Sequence, residues 1–322
     1  MAYLFVHFRE MWTEKGEQVY FALSKNGYDW EIINDGNPVI TAKKGDLGVR
    51  DIVIARTRDN RFVIMATDLA LIKNIDTKYK GNIRNAFKDG SKAIAMWKSD
   101  DLVNWSDEIL LQFDDDNLGC FWAPGIFFDD ESGEYVVHWS SSNKNDDYSG
   151  LAIYYSVTKD FEKFSKRKLF CKKTDSELLD SFLYKSNGTY HFFVKSADNP
   201  KAVIHETSQS LYGPYERDIF FDEQMASLEK CNTYEAPMVY TLSDKKICLM
   251  LDFYGCEKED MGYVPFVMES LDSINLKCSK EKFTFPYKFK HGVVMEITGD
   301  EYERINLLEN LLRFHEAVQR VL

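Results

Sequence analysis

Nearly the whole of this 322-residue chain reads as β-structure. Short runs rich in Val, Ile, Phe, Tyr and Trp, such as RFVIMATD (61–68) and TYHFFVKS (189–196), have the length of single strands. Polar turn clusters end them, among them DDESGE, KSNGTY and LSDKK. One phrase also recurs: an apolar strand, Ser, a polar turn, then an aromatic or apolar residue. It occurs at 21–30, 95–105, 154–164, 205–215 and 267–276, with Ser24, Ser99, Ser156, Ser208 and Ser270 spaced by 75, 57, 52 and 62 residues. That spacing is near the roughly 40–50 residues of a propeller blade with loop added. The expectation is an all-β, five-bladed β-propeller forming a single domain over 1–322.

In chain order, YLFVHF and EQVYFALS open the sequence as an incomplete blade. RDIVIART and RFVIMATD then precede the repeat of a first full blade, WAPGIFFDD and EYVVHWSS that of a second, LDSFLYKS and TYHFFVKS that of a third, and EAPMVYTL and KICLMLDF that of a fourth. The fifth repeat lacks a first strand in the usual place, and HGVVMEIT (291–298) is left over. Pairing this last strand with the opening blade closes the ring and leaves no exposed sheet edge. From about 300 to 322, apolar residues such as Ile305 and Leu308, and Leu307 and Leu311, recur at helical spacing. They predict an amphipathic C-terminal helix on the outside of the ring.

Composition narrows the partners. With 40 Lys and Arg against 52 Asp and Glu, the net charge of −12 leaves no basic footprint for nucleic acid. No apolar run approaches the roughly 20 residues that cross a bilayer. The six cysteines lie far apart, without zinc-site spacing, and read as ordinary thiols. The opening MAYLFVHFRE meets a charge too early for a secretory signal, so a cytoplasmic protein is expected.

In a propeller the first strand of each blade lines the central channel, so the starts of those strands converge at one mouth. These starts are Asp51, Trp122, Asp180, Glu235 and His291, at intervals of 71, 58, 55 and 56 residues. An isolated Asp before a strand is ordinarily a solvated turn residue. Three carboxylates at one register are a different matter. Held close in an aromatic-lined pocket they repel, their pKa values separate, and one can serve as acid while another serves as base. Glu235, between Tyr234 and Ala236-Pro237, is placed for burial that would keep it protonated.

The order Asp, then WAP, then Asp, then Glu-Ala-Pro, then HG resembles glycoside hydrolase family 43, the five-bladed arabinofuranosidases and xylosidases, from about Tyr3 to Tyr302. The resemblance implies Asp51 as general base, Glu235 as general acid, and Asp180 as the carboxylate that tunes and orients the acid. It implies contact with an oligosaccharide or polysaccharide substrate through Arg50, Trp122, Tyr234 and His291. No cofactor is required. His291 would stand near the axis holding water or a metal ion, and a structural calcium in the channel fits the family, although one imidazole is a poor mark of an oxygen-seeking cation. Family members invert, so one displacement by water releases the sugar.

Two departures stand out: Ile52 where the family usually has Pro, and Gly125 where WAP is usually followed by Asp or Glu. The loss of a polar group at Gly125 keeps open a propeller that binds carbohydrate without cutting it. Among enzymes, an α-L-arabinofuranosidase acting on terminal residues of plant-type oligosaccharides comes first. A β-xylosidase or galactofuranosidase follows, and the retaining fructan hydrolases fit less well. The long 69–90 connection is placed either to wall an exo-acting pocket or to be a mobile surface loop. His7, His138 and His191 read as hydrogen-bonded core histidines, His205 and His315 as surface residues, and Asp114 to Asp116 as a solvated loop. The sequence sets no oligomeric state.

Overall fold

The apolar runs pair with their sequence neighbours, as antiparallel strands joined by short polar turns do. The computed structural model describes residues 1–113, 117–255 and 261–307. The run Asp114 to Asp116, Cys256, His315 and the expected helix beyond residue 307 lie outside the described residues. The opening strands are β1 (Ala2–His7), β2 (Tyr20–Ser24) and β3 (Glu31–Ile32). The first full blade contains β4 (Val49–Arg56), β5 (Phe62–Asp68), β6 (Ala93–Ser99) and β7 (Ile109–Gln112). The second contains β8 (Trp122–Asp129), β9 (Glu134–Ser142), β10 (Leu151–Thr158) and β11 (Lys168–Cys171). The third contains β12 (Leu178–Ser186), β13 (Thr189–Ser196), β14 (Ala202–Ser208) and β15 (Glu216–Arg217). The fourth contains β16 (Tyr234–Thr241), β17 (Ile247–Phe253) and β18 (Gly262–Met268), and the last strand is β19 (Gly292–Ile297).

That last strand completes the fifth blade, in the order β19-β1-β2-β3. Its register runs from Ala2 opposite Ile297 to His7 opposite Gly292. The inner strands β4, β8, β12, β16 and β19 touch in that cyclic order, and β19 returns to β4. The five-bladed propeller and its closure by the two ends of the chain are as the repeat implied.

The repeat has a local physical cause. Ser24 Oγ accepts the Gly27 N–H at 2.8 Å, Ser99 Oγ that of Leu102 at 2.9 Å, and Thr158 Oγ1 that of Phe161 at 3.0 Å. Each hydroxyl ends a third strand and forces a tight turn. In the first two full blades the turn drops an apolar residue into the core, with Leu102 and Phe161 each 1% exposed. The second blade therefore uses Thr158 and not Ser156, whose hydroxyl donates to Ser165 O at 2.7 Å.

Apolar faces of adjacent sheets pack between blades, where Val53, Met65 and Met96 meet Val137, Trp139 and Tyr154. Residues 299–307 are helical and seal the outside. Tyr302 and Ile305 enter the cluster of Leu23, Phe62 and Trp97, and Glu301 takes both terminal nitrogens of Arg56 at 2.6 and 2.8 Å. Leu307, expected on the apolar stripe, is 58% exposed, because the described turns of this helix bury the face through Tyr302 and Ile305. Among the described residues no helix is long and apolar enough to cross a membrane.

The core histidines are as expected in three cases. His7 Nε2 meets Tyr287 Oη at 2.7 Å, His138 Nδ1 meets Ser181 Oγ at 2.7 Å, and His191 Nδ1 meets His205 Nε2 at 3.0 Å. His205 is not a surface residue: it is 1% exposed, stacked between His191 and Phe193, with Nδ1 2.9 Å from Asp218. The repeat placed its strand correctly, but the side chain faces the fourth blade.

Candidate active site

Each inner strand of the four full blades breaks its register near its start. The shifts fall between Arg50 and Val53, Trp122 and Gly125, Leu179 and Phe182, and Glu235 and Met238. At each shift one residue turns left-handed: Asp51 at φ 54°, Ala123 at 48°, Asp180 at 53° and Ala236 at 47°. Non-glycine residues in this region cost about 1–3 kcal/mol each, and such strain gathers where side chains are aimed at a site. Hydrogen bonds between blades hold it. Thr67 Oγ1 donates to Asp51 Oδ2 and accepts the Ala123 N–H, both at 2.7 Å, and Asp180 Oδ2 accepts the Ala236 N–H at 3.3 Å.

The bulge corrects the register read from sequence. Asp51 and Asp180 occupy the left-handed position itself, whereas Trp122 and Glu235 precede it by one residue. All still gather at one mouth. His291 Nδ1 lies 3.0 Å from Asp51 Oδ1 and 3.8 Å from Asp180 Oδ1, and its backbone N–H donates to Asp252 Oδ2 at 3.2 Å.

The charges separate as an acid and a base require. Burial pushes the Glu235 carboxyl up, and the charges of Asp180 and Asp252 add to bring it to about 8. Burial acts in the same direction on Asp51, but the His291 imidazolium, Arg50 and the Thr67 hydroxyl outweigh it and hold Asp51 down to about 2. Asp180 is raised by burial and by the charge of Asp51. Burial would deprotonate His291, yet Asp51 and Asp180 together lift it to about 9.

For the calcium ion that the resemblance admits near His291, the donor set is poor: one imidazole lies 3.0 Å from Asp51, and among the described residues no group of three or more His, Cys, Asp and Glu side chains is arranged to hold a metal. The hard cation would want six to eight oxygens. No step below depends on a metal.

The other expected residues are placed as follows. Trp122 is half-buried, edge-on to Phe87 at 5.3 Å. The terminal nitrogens of Arg50 reach Glu17 at 2.6 Å and Glu10 at 3.5 Å, which fixes the strand just before Asp51. The Tyr234 ring packs in the core against Phe253, centroids 4.8 Å apart, while its carbonyl accepts from Lys195. Gly125 is explained by sterics, since a Cβ there would lie 2.1 Å from His138 Cε1. The imidazole occupies the space that a side chain at position 125 would take. Ile52 is 1% exposed and packs in the core, as its β-branched side chain allows.

Sequence reasoning missed the strand behind. Opposite Arg50, Trp122, Leu179 and Glu235 stand Thr67, Ser140, Lys195 and Asp252, each near the mouth end of a second strand. Lys195 Nζ donates to Tyr234 O at 2.7 Å and Asn232 O at 2.8 Å, on either side of Thr233 just before Glu235, and burial lowers it to about 8. Asp252, fully buried, pairs with Lys290 at 2.9 Å. A polar residue near the mouth end of each of four largely apolar strands was the available signal.

The 69–90 connection is tied down at several points, although half of its residues are exposed. It carries α1 (Leu71–Asn74) and α2 (Ala86–Asp89). Glu17 accepts the N–H groups of Leu71 and Ile72, each at 3.1 Å, and Tyr79, fully buried, donates to Asp46 at 3.1 Å. Arg84 crosses to Glu177 ahead of the third blade.

Known proteins share this architecture. The chain is 25% identical over 214 residues to an α-L-arabinofuranosidase of Bifidobacterium longum, a match covering 60% of this chain and 19% of that protein's length. Among solved structures it is similar to an endo-arabinase from Bacteroides thetaiotaomicron, with a TM-score of 0.58 and 13% identity over 85% of this chain and 91% of that one. A xylan β-1,4-xylosidase from Bacillus halodurans aligns with a TM-score of 0.52 and 16% identity over 80% of this chain and 47% of that one. A family model related to glycoside hydrolase family 43, described as "Probable glycosyl hydrolase domain", matches residues 1–303. With that match spanning the whole ring, the chain belongs to the family-43-related glycosyl hydrolases.

Proposed function

We propose that this glycoside hydrolase releases a terminal sugar with inversion, α-L-arabinofuranose in the first place, from plant-type oligosaccharides. The observation that carries the reading is two carboxyls at one mouth in opposed surroundings: Asp51 lies 3.0 Å from the His291 imidazole and accepts from Thr67, which hold it down, while burial and the charges of Asp180 and Asp252 push Glu235 up. Near neutral pH one is a carboxylate and the other a carboxylic acid. Glu235 gives its proton to the glycosidic oxygen as the bond to the anomeric carbon breaks. Asp51 takes a proton from the water whose oxygen bonds to that carbon from the opposite face. Asp180, close to both, keeps the Glu235 proton in place, and the His291 cation keeps Asp51 ionised. Trp122 lines the subsite of the cleaved sugar, and Arg50 acts on substrate indirectly, by fixing the approach to Asp51.

The 25% identity to the Bifidobacterium arabinofuranosidase supports arabinofuranose over xylose and galactofuranose. The length of the 69–90 connection and its anchoring to Glu17, Asp46 and Glu177 support action on chain ends. The test is release of p-nitrophenol from α-L-arabinofuranoside, β-D-xyloside and β-D-galactofuranoside by the unmodified protein beside Asp51→Ala and Glu235→Gln. The arabinofuranoside is expected to be cleaved, with the first anomer seen by NMR inverted and the Asp51→Ala rate down by about 10²–10⁴-fold. Retention, or equal inertness of protein and variants toward all three, would sink the proposal.

A further inference from the structure

The second strands do more than cover the inner ones: from each full blade a polar side chain crosses the seam and bonds beside a mouth residue of the next. Thr67 in β5 accepts the Ala123 N–H next to Trp122, and His138 in β9 meets Ser181 next to Asp180, both at 2.7 Å. Lys195 in β13 donates to the Tyr234 carbonyl next to Glu235 at 2.7 Å, and Asp252 in β17 accepts the His291 N–H at 3.2 Å. These ties hold the starts of the inner strands against one another.

The tie at Lys195 differs in kind. A lysine is almost never fully buried unless it is paired, and Lys290, 6% exposed, follows that rule with its ammonium 2.9 Å from Asp252. Lys195 is 2% exposed, yet it directs its donors to backbone, the Tyr234 carbonyl and the Asn232 carbonyl at 2.8 Å. The Asn232 carbonyl also accepts from the Tyr254 hydroxyl at 3.3 Å, and the Tyr254 ring lies 5.7 Å from the ammonium. An ammonium carries three donors, so it bridges two carbonyls that one hydroxyl could not hold together. Its charge makes each bond stronger than a neutral one.

The segment held in this way is strained on both sides of the acid. Lys230, ahead of the short turn Cys231–Thr233, has φ 52°, and Ala236, just after Glu235, has φ 47°. Lys195 fixes the approach to Glu235, and Asp180, by accepting the Ala236 N–H, fixes the exit. Asp51 is secured differently, through its own carboxylate, by Thr67 and His291. Loss of the lysine would therefore move the acid and leave the base where it is.

We infer that Lys195 is a positioning residue for the general acid, clamping the backbone before Glu235 so that its carboxyl meets the glycosidic oxygen. This rests on the glycosidase reading and adds a residue to one step of it, proton delivery to the leaving group.

The test compares kcat on phenyl and 2,4-dinitrophenyl α-L-arabinofuranosides, since dinitrophenolate departs without a proton and phenolate needs one. Lys195→Met is expected to lower kcat on the phenyl glycoside by about 100-fold, the size of effect of a small misplacement, and on the dinitrophenyl glycoside by less than about threefold. KM should stay unmoved for both. Lys195→Arg, which keeps the charge and the donors, should return most of the loss. Tyr254→Phe removes one hydroxyl from the same clamp and should give a smaller loss confined to the phenyl glycoside, which decides the matter where Lys195→Met does not fold. Equal losses on both glycosides, as a merely structural role produces, or no loss on either, overturn the inference. Cleavage by the unmodified protein decides the glycosidase reading separately from the ratio of the two rates, which decides the role of Lys195.

Discussion

The imidazole of His291 stands 3.0 Å from the Asp51 carboxylate, across the seam between the last inner strand and the first. The histidine is the counter-charge that keeps this carboxylate ionised well below neutral pH. His291→Asn keeps a polar side chain and removes the cation. The acid limb of kcat/KM should then move up by about 1–2 pH units, the size of effect an adjacent opposite charge exerts, and a pH profile from 3 to 7 measures it. An unmoved limb would show that Asp51 is held by Arg50 and Thr67 alone.

Asp180 acts on Glu235 with the opposite sign. Its negative charge disfavours a second carboxylate, so Asp180→Asn should let the Glu235 proton leave more easily. The alkaline limb, expected near 8 in the unmodified protein, should shift toward acid, with kcat reduced at pH 7 and less so at pH 5. Should kcat fall equally at all pH values, Asp180 only orients its neighbour.

Gly125→Ala tests the steric account of the altered wall. A methyl group 2.1 Å from the His138 ring cannot be accommodated without moving it. Overpacking of this kind costs about 1–3 kcal/mol, seen as a lower Tm. Trimming the ring as well, in Gly125→Ala with His138→Ala, should recover part of the loss from the first substitution. Failure to recover it would locate the strain in the backbone.

Acid stability should depend on three buried imidazoles. Burial lowers His7 and His138 to about 3 and His191 to about 4, from an ordinary 6.5. Above 6.5 these residues are neutral in both the folded and the unfolded chain. Below it the unfolded chain takes up protons that the native core refuses, so stability declines from 6.5 downward until the folded values are reached. Each group contributes a slope of up to about 1.4 kcal/mol per pH unit. Urea midpoints at pH 7, 6 and 5 should fall progressively, and a flat series would mean that the core accepts the charge.

Much of the ring was legible because its signals are local. Strand length, turn chemistry and the recurring phrase act within ten residues, and they placed the blades, the closure by β19, and Asp51, Asp180, Glu235 and His291 at one mouth. What was not legible depends on contacts across the sheet. The one-residue offset of Trp122 and Glu235 arises from bulges that no residue type announces, since Ala123 and Ala236 adopt them as readily as Asp51 and Asp180. Lys195 and Asp252 were hidden for a related reason. They sit in second strands, and only the pairing register carries them to the mouth. The burial of His205 was hidden because its partners come from other elements: His191 and Phe193 in β13, Phe221, and Asp218.

The strand that fastens the ring also delivers the imidazole beside Asp51. Until β19 docks on β1, Asp51 faces no imidazolium and Asp252 receives no Lys290. A partly folded chain would therefore hold its carboxylates without a working division of acid and base. The opposed surroundings of Asp51 and Glu235 are thereby tied to the same β1–β19 pairing that closes the ring.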